Sequence, residues 1–515
     1  MQPGACGRSG AIVHIGTESG VMSKADQSSS VDRREAHQLR RGSLGVLGIS
    51  FFVVSAAASL TAMAGGAPVA MLLGNGPGIP AAYVLVSLLL LVFSVGYTAM
   101  ARHHTSTGAF YSYVSRGLRQ PAGGAAALIA LLGYNAMQIG LYGLFGAATS
   151  SFLADQFGWN VPWWVLVLLA MAIIGVLGYR QVDLSVKVLS VLVLAEFLVV
   201  IVLDVAILIK GGQAGRAPLT VEPFTWGALT SGSLAIALLF NAASFIGFEA
   251  TTIYSEEAKD PRRTVPRATY VAVLTIGVFY TVTTWLMVNG QGPDSLVDFL
   301  ADLKPDPTAF LFVLSDTYVG QALTTVMSLL FATSVFAALL AFHNAVARYL
   351  YALGREGLVP EQLGRTHSVH LSPHAGSISQ TALAAVVVLV FVLTGQDPVL
   401  ALFTWLTQLG TLAIIALMAL ASFAVVAFFL RHPDLDRNRL RTLVAPLVGG
   451  LAMAAVAIYA ATQFGLLIGS ERSVLSWGLP ALIPVAAVVG VGSALVLKSR
   501  NPALYERMGR HRGDD

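Results

Sequence analysis

Charge is scarce in this 515-residue chain. Only 11% of its residues are Asp, Glu, Lys or Arg, against roughly 25% in a soluble domain. With 56% of residues apolar, the polar remainder is too small to cover a water-soluble globule of this length, so the chain belongs in lipid. Cysteine is nearly absent as well. Cys6 stands alone, which excludes an intrachain disulfide, a disulfide-linked partner through an outer loop and a cysteine metal cage. Also missing is the strict two-residue alternation of a membrane barrel strand, so helices must satisfy the backbone. No concentrated basic face supports nucleic-acid binding.

Enzyme signals are equally thin. Gly74, Gly76 and Gly78 in GNGPG imitate a phosphate loop, but no strand precedes them, and they are expected to form a short outer turn. His367, His370 and His374 have a spacing a metal accepts, yet no carboxylate or cysteine ligand accompanies them. A nucleophile elbow and a paired-carboxylate constellation are both lacking. The expectation is therefore no enzyme, no cofactor and no resident metal.

What the chain has in abundance is apolar runs of about 20 residues or more, each able to cross ~30 Å of hydrocarbon. They predict twelve transmembrane helices, near 44–73, 80–100, 121–152, 163–179, 185–209, 228–256, 265–289, 318–350, 376–394, 399–430, 443–467 and 476–497. Residues 1–42 carry Ser, Gly and charge without an apolar core of signal-peptide length, and are expected to be a disordered tail. On this topology Lys210, Arg216, Lys304 and Arg472 lie on one side, leaving 27 of the 31 basic residues on the other. The positive-inside rule then places both termini in the cytoplasm of a multi-pass plasma-membrane protein. Trp159, Trp163, Trp164, Trp226 and Trp477 fall at the outer interface, where amphipathic rings anchor helices.

Polar residues at membrane depth are costly and mark cavities or partners. In the sixth span, NAASFIGFEA places Asn241, Ser244, Gly247 and Glu249 in a stretch otherwise suited to crossing. Gly247 permits backbone angles other residues resist, so the helix is expected to break here. The first span repeats the signal: VVSAAASLTAMAGGAP carries Ser55, Ser59, Thr61, Gly65 and Gly66. Small residues also serve tight helix packing. Interruptions in corresponding positions of two halves nevertheless point to a transporter site, and a spacing of five spans predicts two inverted five-helix repeats with two further helices appended.

The residues that follow Glu249 carry a resemblance. GFEATTIYSEEAKDPRRTVPRATY, Gly247 to Tyr270, closely resembles the signature of amino acid permeases in the amino acid, polyamine and organocation superfamily. STGAFYSYVSRGL, Ser106 to Leu118, and FHNAVARYLYALGREGLVP, Phe342 to Pro360, support it. The resemblance covers roughly residues 43–497 and implies an all-α membrane protein of the LeuT-like five-plus-five inverted-repeat fold with two C-terminal helices. The domain layout it implies is a tail at 1–42, a transport core at 43–433, two helices within 434–497 and a cytoplasmic C-terminal tail at 498–515. Its function would be secondary transport of an amino acid or related amine by alternating access, first of all with proton symport, with exchange as the rival and a non-transporting sensor or scaffold as the class-level alternative. Partners are the small-molecule substrate, protons or possibly sodium, and lipid.

The resemblance implies site residues too. The substrate carboxylate would lie against backbone of the first break at Ser55, Ala56, Ala57, Ala58 and Ser59, near Thr61, and the ammonium against carbonyls at Ala243, Ile246 and Gly247. Many members carry a Gly-Ser-Gly break where this chain reads SAAASLT, so the first break is placed by position. Phe245 or Phe248 would cap the pocket, and Glu249 would either pair with a charged substrate group or brace the broken segments. Asn241 and Gln138 complete the expected site. Tyr134, Gln138 and Tyr142 on the third helix, and Thr404, Gln408 and Thr411 on the tenth, either line the cavity or pack helices.

For coupling, Glu196 stands where some proton-coupled relatives place a lysine. It would cycle a proton, hold a cation with Thr333 and Ser334, or make a structural hydrogen bond. Asp204, nearly on the same face, is expected to be solvated near the outer end. Glu256, Glu257, Lys259, Asp260, Arg262, Arg263 and Arg267 form a loop that either closes an inner gate through ion pairs or is merely solvated, while Arg348 and Arg355 are expected to anchor their helix.

Overall fold

In this computed structural model residues 45–56, 58–103, 109–180, 186–249, 251, 258–304, 306–367, 372–470 and 472–509 are described. The tail 1–42, Ala57, Glu256, Glu257, His370 and residues 510–515 lie outside the described residues, and for Ser55 and Ala56 only the backbone is described. Every regular element among the described residues is a helix.

The first apolar run gives α1, Val46–Ala56, then a π-helical turn, Thr61–Gly66, that leads into α2, Ala67–Leu73. Next come α3, Ile79–Ala101, the amphipathic α4, Ala109–Leu118, and α5, Gln120–Phe157. At 38 residues, α5 is about 57 Å long at 1.5 Å per residue, well beyond the hydrocarbon thickness. It is followed by α6, Trp163–Tyr179; α7, Val186–Lys210; α8, Leu234–Ala243; and α9, Pro261–Gln291. The last third holds α10, Gln321–Arg355; α11, His374–Leu393; α12, Thr404–Arg431; α13, Ala445–Thr462; and α14, Val474–Arg500.

Nine helices among the described residues are long and apolar enough to cross a membrane. Three shorter apolar ones, Thr61–Leu73, Trp163–Tyr179 and Leu234–Ala243, stand beside them. Two of the three are short because their spans are interrupted part-way. Within the stretch expected as the C-terminal tail from 498, α14 runs on to Arg500, and a further turn, Pro502–Glu506, follows. Leu504, Tyr505 and Met508 pack there with Tyr111, Leu353 and Leu497 in a small second core, which repays the cost of ordering them.

α5 and α12 form the buried centre, and α14 has the most exposed flanks. α5 packs on α10, α12 and α14; α9 packs on α3 and α1; and α11 packs on α6 and α10. Small residues set the closest of these contacts. A Cβ on Gly124 of α5 would come within 2.3 Å of the Gly490 carbonyl oxygen of α14, and one on Gly490 within 2.2 Å of the Gly124 carbonyl oxygen, so glycine on both sides lets two backbones touch. The GNGPG stretch forms a short turn over Gly76–Gly78, tied to the segment before α8 by Asn75 Nδ2 donating to the Leu229 carbonyl at 3.0 Å. Trp159, Trp164, Trp226 and Trp477 are exposed, while Trp163 is half-buried.

Candidate functional site: two interrupted helices around a small cavity

α1 stops at Ala56, and Ala58 takes a φ of +44°, a left-handed conformation that side-chain-bearing residues adopt rarely. The helix resumes at once, with the Ala62 N–H donating to the Ala58 carbonyl at 3.1 Å. α8 stops at Ala243, and the chain turns through 244–249 on short-range bonds: Phe245 N–H to Ala242 O, Ile246 N–H to Ala243 O and Phe248 N–H to Phe245 O, each 3.1 Å. Gly247 sits in that turn at φ +113°, where glycine is the residue without steric penalty. Each interruption leaves half-helix ends with N–H or C=O groups that lack intrahelical partners.

Glu249 ties the second interruption together. Its Oε2 accepts the Gly247 N–H at 2.8 Å, and its Oε1 accepts the Tyr134 hydroxyl of α5 at 2.9 Å. Tyr97 of α3 donates to the Glu249 carbonyl at 3.0 Å. At 3% exposure, Glu249 is tied through its carboxyl to the break and to α5 and through its backbone carbonyl to α3, the geometry of a brace.

Glu196 performs a comparable connection at the first interruption. From α7 its Oε2 accepts the Leu60 N–H at 3.3 Å, at the start of the resumed helix, where the positive end of the helix dipole favours a carboxylate. Glu196 also hydrogen-bonds Ser334 of α10, whose Oγ lies 3.1 Å from Thr61 Oγ1. Glu196, Ser334, Leu60 and Thr61 thus join three elements. Thr333 turns its hydroxyl back to the Leu330 carbonyl at 3.0 Å on its own helix.

Between the interruptions lies a cavity of about 70 Å³, bordered by Ala58, Thr61, Ala243, Ser244 and Ile246. Phe342 of α10 together with Thr407 and Gln408 of α12 close it opposite. None of its lining residues is charged, and most are apolar, Met137, Leu141, Phe240 and Phe403 included.

Several expected residues face elsewhere. Phe245 packs its ring against Tyr83 and Tyr280 and Phe248 packs against Phe93 and Tyr97, because the turn at 244–249 directs both towards the aromatic cluster around α3. The aromatic rings on the cavity are Phe240, Phe342 and Phe403. Gln138 hydrogen-bonds Gln380 of α11 and Tyr142, and Asn241 Nδ2 donates to the Ile79 carbonyl at 3.2 Å, so both amides serve helix packing. Ser59 is buried beside the cavity without bordering it. On α12, Thr404, Thr407 and Thr411 all donate to carbonyls of the preceding turn, and of the α12 residues Thr407 and Gln408 border the cavity.

Asp204 is corrected outright: it is 8% exposed, not solvated, and accepts the Thr283 hydroxyl of α9 at 2.7 Å. In the charged loop, Asp260 and Arg263 lie 3.7 Å apart with both side chains exposed, a pair worth little as a clasp. Arg355 bonds the Tyr351 hydroxyl at 3.2 Å and lies over its ring, one turn back on its own helix. His367 and His374 stack edge-on with each other and with Tyr179.

Met137, Leu141, Phe240, Phe342, Phe403 and Thr407 border the cavity without having been singled out for it by their sequence pattern, while Ser244, one of the polar residues of the interrupted span, borders it too. The FHNAVARYLY stretch does begin at Phe342, but nothing in its spacing says which ring turns inward.

The amino acid permease family matches residues 44–491. The chain is 26% identical to the low-affinity putrescine importer PlaP of Escherichia coli (strain K12), over 59% of this chain and 66% of that protein, so it spans just under two thirds of that relative's length. It is 25% identical to the branched-chain amino acid permease BcaP of Bacillus subtilis (strain 168), over 79% of this chain and 83% of that one. It is likewise 26% identical to BcaP of Lactococcus lactis subsp. cremoris (strain MG1363), over 61% and 68%. These relatives are transporters, not enzymes.

Proposed function

Because the chain belongs to the amino acid permease family, we propose that it carries a small amino acid or related amine across the plasma membrane by alternating access, in symport with protons. In this reading the nine long and three shorter apolar helices make twelve crossings, the first ten form a five-plus-five inverted repeat over residues 43–433, and both termini are cytoplasmic, as the basic residues favour. The observation that carries the proposal is the cavity shared by both interruptions, because half-helix ends supply opposite partial charges for a substrate carboxylate and ammonium.

The cavity also speaks to the substrate. A diamine would bring a second ammonium to walls that hold no carboxylate, and burying an unpaired charge is prohibitive. A compact apolar side chain suits walls of Met137, Leu141, Phe342 and Phe403. The carboxylate would lie at the start of the resumed helix near Ser59 and Thr61, and the ammonium near the Ala243, Ile246 and Gly247 carbonyls. Glu196, with Ser334, is the coupling group. Glu249 is the brace.

Uptake of radiolabelled amino acids and polyamines into proteoliposomes tests this directly. Accumulation of apolar amino acids under an inward pH gradient alone supports the proposal; uptake only into preloaded vesicles makes the protein an exchanger, and uptake only with sodium replaces the proton. Silence in all three arms, with no binding to the purified protein, returns it to a sensor or scaffold. A Cβ on Gly66, which borders the cavity, meets nothing within 4 Å. Gly66→Val should therefore fill substrate space and reject larger substrates first; an unchanged preference across the panel removes the cavity from the mechanism.

A further inference from the structure

A second, larger cavity of about 550 Å³ opens where α3 ends and α9 begins. Arg102 and His103 line it from just past α3, Arg262, Arg263 and Arg267 from the first turns of α9, and Asp436 from the connection between α12 and α13. Among the described residues that line it, four guanidinium groups meet one carboxylate. Burial holds the His103 imidazole below its ordinary value, with Asp436 opposing and Arg262 and Arg102 reinforcing that shift, so the arginines carry the cleft's charge. Arg102 Nε is buried without a hydrogen-bond partner among the described residues. Like charges held together from separate elements favour an anion between them, and guanidinium forks match phosphate oxygens in pairs.

The surface beside the cleft says where such a phosphate comes from. Arg267, Val271, Leu274 and Val278 recur at helical spacing on one face of α9, and the three apolar members are 38%, 48% and 61% exposed. On α13, which packs with α9 against α3, Leu447, Val448 and Leu451 are exposed as well, as is Val444 just before it. A charged cleft at the end of an unpartnered apolar track has the polarity of one phospholipid molecule. We infer that this cleft holds the phosphate of an anionic phospholipid, with the acyl chains continuing along the exposed faces of α9 and α13.

The test is thermal unfolding of the full-length protein in detergent, titrated with dioleoylphosphatidylglycerol or dioleoylphosphatidylcholine. Phosphatidylglycerol should raise Tm saturably and phosphatidylcholine should not. The triple variant Arg102→Gln, Arg262→Gln, Arg267→Gln should weaken the apparent lipid affinity roughly tenfold or more, since each removes charge-assisted bonds. Arg437→Gln, Arg439→Gln, Arg441→Gln makes the same change in net charge outside the cleft and should leave the affinity unchanged. If the first triple variant does not fold, Arg267→Gln alone is read in the same way. Equal stabilisation by both lipids, equal loss in the control variant, or displacement of the lipid by millimolar inorganic phosphate would each overturn the inference, the last by assigning the cleft to a soluble phosphate instead.

Discussion

At the scale of single residues, two buried carboxylates divide the labour. Glu249 holds a donor on each carboxyl oxygen, Gly247 N–H at 2.8 Å and Tyr134 hydroxyl at 2.9 Å, and does not border the cavity. Tyr134→Phe would strip one donor from this buried carboxyl. Membrane hydrogen bonds average about 0.6 kcal/mol, but leaving a buried acceptor unmet costs about 1–3 kcal/mol. The variant should unfold at lower temperature with its substrate ranking intact. Combined with Glu249→Gln the loss should fall short of additive, as for a shared bond; a changed substrate ranking would instead make Glu249 a substrate contact. Glu196 differs because its partners lie on two separate elements, the resumed first helix at Leu60 and Ser334 of α10. In the proposed cycle, a proton added to that carboxyl would weaken its hold on the Leu60 N–H and the helix end and so couple protonation to the first interruption. Glu196→Gln should therefore abolish accumulation driven by a pH gradient while preserving exchange into preloaded vesicles. Accumulation that survives would reduce Glu196 to a structural hydrogen bond.

At the scale of elements, the proposed function rests on a pair of helices that stop where their neighbours continue. Gly247 at φ +113° is the point where the second interruption depends on one residue type, since a branched or long side chain in such a conformation costs about 1–3 kcal/mol. Gly247→Leu should straighten or strain the turn, displace Glu249 from the Gly247 N–H and cut uptake more than tenfold. Gly492→Leu on α14, at an exposed glycine whose added Cβ meets nothing within 4 Å, is the matched control and should transport normally. Both interruptions were legible because small residues, a glycine and an out-of-place carboxylate accumulate in spans otherwise rich in Leu, Val and Phe. The lining was less legible. A regular helix repeats its facing every 3.6 residues, but a turn such as 244–249 sends successive side chains in directions no periodicity encodes. Phe245 and Phe248 accordingly face the aromatic cluster while Ser244 and Ile246 border the cavity. The same limit hid the burial of Asp204, because its partner Thr283 lies 79 residues away in α9.

At the scale of the whole molecule, the far wall of the cavity is shut off from the surface. Thr407 and Gln408 on its far wall are 2% and 1% exposed, so a substrate enters or leaves only if the helices around the two interruptions shift against α5 and α12. Alternating access requires that shift in both directions, and the chain's composition makes it measurable. With a single cysteine at position 6, Cys6→Ser is a thiol-free background on which single cysteines report sidedness. Lys304→Cys and Arg439→Cys, on opposite faces of the expected topology, should react with a membrane-impermeant thiol reagent from the outside only and from the inside only. That pair checks the positive-inside assignment independently of transport. Thr407→Cys should then react slowly from both sides, because each opening exposes it for part of the cycle, and saturating substrate should slow the reaction by holding the cavity closed. Reaction from one side alone, unaffected by substrate, would describe a protein that opens to one compartment and transports nothing, leaving the two interrupted helices as a binding pocket without a cycle.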